Sequence, residues 1–118
     1  MDIAELREYC LAKKGATEDY PFDETTLCLR VGGKIFAITD VVKIPFTVNL
    51  KCDPERAIEL RERYSNIIPG YHMNKKLWNT VEPGGEVDDT LMCELIDHSY
   101  ELIFASLKKK QRDELLSN

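Results

Sequence analysis

The chain has 118 residues, 43% apolar and 31% charged, with 16 Lys and Arg against 21 Asp and Glu for a net charge of −5. That length and apolar content suit a soluble domain spanning residues 1–118 with a core of its own, and no apolar run approaches the ~20 residues that would cross a bilayer. Collagen, coiled coil and disordered tail are excluded, and because the whole chain is acidic, any contact with phosphate has to come from a local patch.

The chain opens on Met1-Asp2-Ile3-Ala4-Glu5, acidic and without the basic and apolar regions of a signal peptide, which predicts a cytoplasmic protein. Asp2 and Glu5 have the spacing of a capping box, and Ile3, Leu6 and Cys10 recur at helical period, predicting a helix over 3–14 that ends at Gly15. Residues 16–24 are polar and acidic and read as a loop. Leu27, Leu29 and Val31 then alternate with polar or small residues, Gly32-Gly33 is a two-residue hairpin signal, and 34–39 is the return strand. A third strand follows, with Phe46, Val48 and Leu50 on one face and Thr47, Asn49 and Lys51 on the other.

Asp53-Pro54-Glu55 supplies an N-cap, a proline at the first helical position and an acid in the first turn, for a second helix over 54–64. A short fourth strand is expected near Tyr71-His72-Met73, a turn at Asn74-Lys75-Lys76 and a fifth strand over 77–81. The longest helix starts after Val87, with a stripe of Leu91, Leu95, Leu102 and Ala105 flanked by Met92, Ile96 and Ile103. A last helical piece is expected over 111–116. The predicted order is therefore α-β-β-β-α-β-β-α. Short connections between consecutive strands imply a two-layer α+β domain, with a five-stranded antiparallel sheet covered by helices.

Charge is uneven along this order. Residues 51–80 hold 6 basic and 4 acidic groups, whereas 1–50 hold 6 and 8 and 81–118 hold 4 and 9. The four cysteines, Cys10, Cys28, Cys52 and Cys93, have no CxxC or Cys-His spacing, so no metal or cofactor is expected and all four read as reduced, partly buried residues. Asp97-His98 has no nucleophile beside it in sequence and reads as a half-buried helical histidine bonded to a neighbour. The acids near the first helix read as surface charge rather than a cation site. No paired carboxylates, nucleophile elbow or phosphate loop is present, so no catalysis is expected.

The best candidate site is His72-Met73-Asn74-Lys75-Lys76-Leu77-Trp78-Asn79 together with Lys51. Lys51, Lys75 and Lys76 offer ammonium groups to phosphate, His72, Asn74 and Asn79 offer hydrogen bonds to bases, and Trp78 offers a stacking surface. The competing reading keeps the lysines as solubilising turn residues and buries Trp78 beneath the longest helix.

Five blocks, in order along nearly the whole chain, resemble the MmcQ/YjbR family. They are Asp19-Tyr20-Pro21-Phe22; Gly33-Lys34-Ile35-Phe36-Ala37; Val48-Asn49-Leu50-Lys51-Cys52-Asp53-Pro54; Pro69-Gly70-Tyr71-His72-Met73-Asn74-Lys75-Lys76-Leu77-Trp78-Asn79-Thr80-Val81; and Leu95-Ile96-Asp97-His98-Ser99-Tyr100-Glu101-Leu102. The resemblance implies an α-β3-α-β2-α domain similar to secretion chaperones and frataxin. It also implies DNA binding through a double-wing arrangement of strands, with no catalytic residue set. The alternative is a module that binds a peptide or partner protein.

Overall fold

In the computed structural model, residues 1–117 are described. The elements are α1 (Ile3–Leu11), β1 (Ala16–Asp19), β2 (Thr26–Val31), β3 (Lys34–Asp40), β4 (Val48–Lys51), α2 (Pro54–Arg63), β5 (Ile67–Pro69), β6 (Trp78–Val81), α3 (Asp89–Ser106) and α4 (Lys109–Ser117). The sheet has six strands in the order β1-β2-β3-β4-β6-β5, every neighbouring pair antiparallel.

The α+β class and the antiparallel sheet follow the sequence, but the strand count and order need correction. The sixth strand is β1, where the sequence reads as a loop. It carries no apolar alternation and is held by pairing with β2 and by two ion pairs, Arg7–Glu18 at 2.5 Å and Arg30–Asp19 at 2.8 Å. The fourth predicted strand lies earlier than expected: β5 is Ile67–Pro69, and Tyr71–Met73 belongs to the irregular connection to β6. The last helical piece is a full helix of nine residues.

Local chemistry fixes the boundaries. Asp2 caps α1 in a complete capping box with Glu5. Asp53 caps α2 with Pro54 in its first turn, and Asp88 caps α3 by accepting from the Leu91 N–H at 2.9 Å. Gly32 and Gly33 sit at φ 58° and 81°, the left-handed geometry that a two-residue hairpin between β2 and β3 requires.

Cross-strand partners share a face of the sheet. One row runs Leu27, Thr39, Val48, Val81 and Ile67, and the next runs Leu29, Ala37, Leu50 and Asn79, continuing to Pro69. All but Pro69 are buried, with α1, α2 and α3 laid over them through Leu6, Cys10, Ala57, Leu60, Met92, Leu95, Ile96 and Ile103. A bulge at Leu29/Arg30 lets consecutive Phe36 and Ala37 both face this core. The Phe36 ring meets Tyr100 of α3 edge-on at 5.3 Å.

The buried stripe of α3 is Met92, Leu95, Ile96, Ser99 and Ile103, rotated from the predicted one, and Leu91 and Leu102 are only partly covered. Ser99 is the reason the stripe is hard to read. Its hydroxyl accepts from the Lys51 N–H at 2.9 Å and donates to the Phe36 carbonyl at 2.6 Å, riveting α3 to β3 and β4. All four cysteines are free thiols, and burial pushes the Cys10 thiol up to about 12. None of the described helices is long and apolar enough to cross a membrane.

Candidate functional site

Among the described residues, α1, α2 and α3 all pack on the core face of the sheet, opposite its second face. Period-two alternation puts Asn49, Lys51, Trp78, Thr80 and Ile68 on this open side of β4, β6 and β5. Ile68 is exposed, and the other four are partly exposed. Lys51 and Trp78 are direct cross-strand partners, so the ammonium stem and the indole stand side by side. One step along, the Thr80 hydroxyl meets Asn49 Oδ1 at 2.5 Å.

Trp78 therefore does not pack beneath α3. Val81 and Asn79 face the core, so residues 78 and 80 of the same strand turn outward. Gly70 lies across from Trp78 and donates its N–H to the Trp78 carbonyl at 2.8 Å. A side chain at Gly70 would begin 3.0 Å from the Trp78 Cβ, so the small residue leaves the indole its place at the end of β6.

Asn79 is also corrected. It is 2% exposed, with its Nδ2 reaching the Ala57 carbonyl of α2 at 3.5 Å, and it cannot touch an external ligand. His72, Asn74, Lys75 and Lys76 remain exposed, but on an irregular connection and not at the tip of a tight hairpin. Lys76 lies outside β6 and does not share a strand face with Trp78. Asn74 Oδ1 is occupied by the Lys76 N–H at 3.0 Å in a local turn, and the Lys75 ammonium sits 5.4 Å from the centre of the Tyr71 ring.

Two contacts from α3 set the position of Lys51. Ser99 holds its backbone, and His98 Nε2 accepts from the Asp53 N–H at 3.1 Å at the β4–α2 junction. The imidazole must be neutral at Nε2 to accept there. Burial, helped by the charge of Arg56, lowers the His98 pKa from its ordinary value. Asp97 pairs with Lys13 and accepts from Tyr9 on the other side of α3, so Asp97 and His98 form no dyad.

A residue that sequence reading passes over is Arg61 of α2. Its Nε donates to the Ala57 carbonyl at 3.0 Å and its Nη1 to the Lys75 carbonyl at 3.4 Å, tying α2 to the 70–77 connection. Among the described residues, Lys51, Arg56, Arg61, Lys75 and Lys76 have no carboxylate within ion-pair distance. No group of three or more His, Cys, Asp or Glu among the described residues is placed to hold a metal.

The YjbR family model matches residues 11–102. The chain is 35% identical to Uncharacterized protein YjbR of Escherichia coli K12 over 112 residues, 95% of each chain. It is 38% identical to Uncharacterized protein YbdF of Escherichia coli O157:H7 over 94 residues, 79% of this chain and 76% of that one. Among solved structures, a Deinococcus radiodurans protein with a DUF419 domain superposes with a TM-score of 0.91 at 39% identity, covering 97% of this chain and 87% of that one.

Proposed function

The chain belongs to the YjbR family, and from its open sheet face we propose that it is a non-catalytic, cytoplasmic binding module for single-stranded DNA. The observation that carries the reading is the Lys51–Trp78 pair on the uncovered side of β4 and β6. A partly exposed indole gives any base a stacking surface, and an ammonium one strand away meets the phosphate that follows it. Lys75 and Lys76, exposed on the connection leading into β6, extend the positive path. A flat sheet suits splayed single-stranded bases better than the groove of a duplex, so the ligand contact is a face and not an inserted hairpin.

Trp78 is the chain's single tryptophan, so its fluorescence reports the site directly. Titration with oligo(dT) in low-salt buffer should quench it. Three phosphate contacts would give a log–log salt slope of about −2. Lys51→Ala should weaken binding and flatten that slope by about 0.7. Unchanged fluorescence at saturating oligo(dT), or a slope indifferent to Lys51→Ala, would overturn the reading.

A second reading, docking of a partner protein, is favoured by a separate observation. Tyr20 and Phe22 precede β2, and Val42 and Ile44 follow β3, where the Val41 N–H reaches the Thr25 carbonyl at 2.9 Å. Their exposures are 47%, 67%, 65% and 94%, an apolar surface at the end of the sheet away from the Gly32-Gly33 turn. If oligo(dT) fails and Phe22→Ser/Ile44→Ser abolishes co-purification of a single stoichiometric protein, this reading replaces the first.

A further inference from the structure

On the helix-covered side of β5, α2 and the 70–77 connection enclose an open cleft of ≈ 510 Å³. Its walls are Pro54 and Ile58 of α2, Pro69 of β5, and Leu77. Its polar groups are Arg61, Asn74, Lys75 and Lys76, and no acidic residue lines it. The volume falls within the range of small-molecule sites, and the pattern is also theirs, an apolar body with a few convergent polar groups. Pro69 shares its face with Asn79, so this cleft lies behind the strands whose front carries Trp78 and Lys51.

Arg61 gives the cleft its chemistry. Two of its five N–H groups are bound to backbone carbonyls, which are neutral, and they hold the guanidinium in place from both sides. Its positive charge is matched by no carboxylate among the described residues, and Lys75 and Lys76 add two more unpaired cations at the rim. A fixed guanidinium with free N–H groups recognises a planar oxyanion, and little side-chain freedom remains to be lost on binding. Ile58 stands 52% exposed at the same opening, an unusual place for an isoleucine on a helix that is otherwise strongly charged.

We propose that this cleft binds a small organic carboxylate with an apolar body, its carboxylate on Arg61 and its hydrocarbon against Ile58, Leu77 and the two prolines. The cleft lies behind the sheet face, shares with the proposed DNA path only Lys75 and Lys76 at its rim, and does not depend on DNA binding.

The test is an NMR titration of the ¹⁵N-labelled full chain with octanoate, with octylamine and octanol as charge controls. Octanoate should shift the amides of Ile58, Asn74 and Leu77, octanol should do so more weakly, and octylamine should leave them in place. Arg61→Gln should weaken octanoate about tenfold or more, the cost of losing a charge-assisted hydrogen bond. Ile58→Glu changes an exposed position and should keep the dispersed spectrum while abolishing the octanoate shifts. Octylamine shifts as large as those of octanoate, octanoate shifts centred on Phe22 and Ile44, no shifts at all, or undiminished binding in folded Ile58→Glu would each overturn the proposal.

Discussion

At the β1–β2 end of the sheet, charges are consumed by the fold: Glu18 holds Arg7, Asp19 holds Arg30, and Asp97 of the overlying α3 holds Lys13. At the β4–β6–β5 end, Lys51, Arg56, Arg61, Lys75 and Lys76 find no carboxylate among the described residues, while Trp78 and Ile68 meet solvent. The acids at the second end do other work or face outward: Asp53 caps α2, and Glu55, Glu59 and Glu62 are exposed on it. A net charge of −5 thus hides an uneven distribution, in which the β4–β6–β5 end carries five cations with no carboxylate partner among the described residues.

The largest expected effect tests what both ends share. Leu95 of α3 is 4% exposed in the common core, and Leu95→Ala should cost about 2–5 kcal/mol in urea unfolding. A loss below about 1 kcal/mol would mean that α3 does not join the two ends. Trp78→Ala separates them. At an open-face position it should cost about 1 kcal/mol of stability, well short of the ~3–5 kcal/mol of a core aromatic, while oligo(dT) affinity falls by about 1–3 kcal/mol. A full core-sized stability loss would return Trp78 to the interior and erase the distinction.

Next come the cations themselves. Lys51→Ala should leave the unfolding midpoint nearly unchanged yet flatten the salt dependence of binding. Arg30→Ala, at the paired end, should do the reverse, shifting stability by less than about 1 kcal/mol with the salt slope intact. Equal slopes in the two variants would break the comparison.

The smallest effect is a pH dependence at the β4–α2 junction. His98 is neutral in the fold, with burial and Arg56 lowering its pKa against the opposing pull of Asp53 and Glu101. The unfolded chain then takes the proton first, so this contribution is complete above the ordinary value of 6.5 and fades as pH falls below it. Urea midpoints of the wild type and His98→Gln should diverge above that value and converge below it. Parallel curves would mean that the Asp53–His98 bond does not hold the junction.

Much of the architecture is legible in the sequence because it rests on local rules. The caps at Asp2 and Asp53, the Gly32-Gly33 turn and the alternation around β2 and β4 each announce themselves within a few residues. What hides is what depends on distant partners. Ala16–Asp19 has no apolar face and becomes a strand only when β2 and α1 supply its pairs. Trp78 and Asn79 mislead by polarity. Val81 pairs with Val48 and Ile67 in the core, and the period of two then drives Asn79 inward and Trp78 outward, against their own preferences. Lys51, Lys75 and Lys76 are visible as candidates from sequence, but Arg61 is not, because its role depends on a carbonyl 14 residues away.

The two outer strands bear on how copies of the chain meet one another at high concentration. β1 has four residues, two of them acidic, and β5 has three and ends in Pro69, which has no N–H to offer. Such short margins give an approaching strand few backbone groups to match, and the Arg7–Glu18 and Arg30–Asp19 ion pairs place charged side chains beside β1. Ribbon-like growth of sheets from molecule to molecule is therefore disfavoured at both margins, although Ile68 is exposed and Lys51, Trp78 and Thr80 are partly exposed on one face of β4, β6 and β5. The protein can present a bare β surface to a ligand without also presenting a template for its own polymerisation.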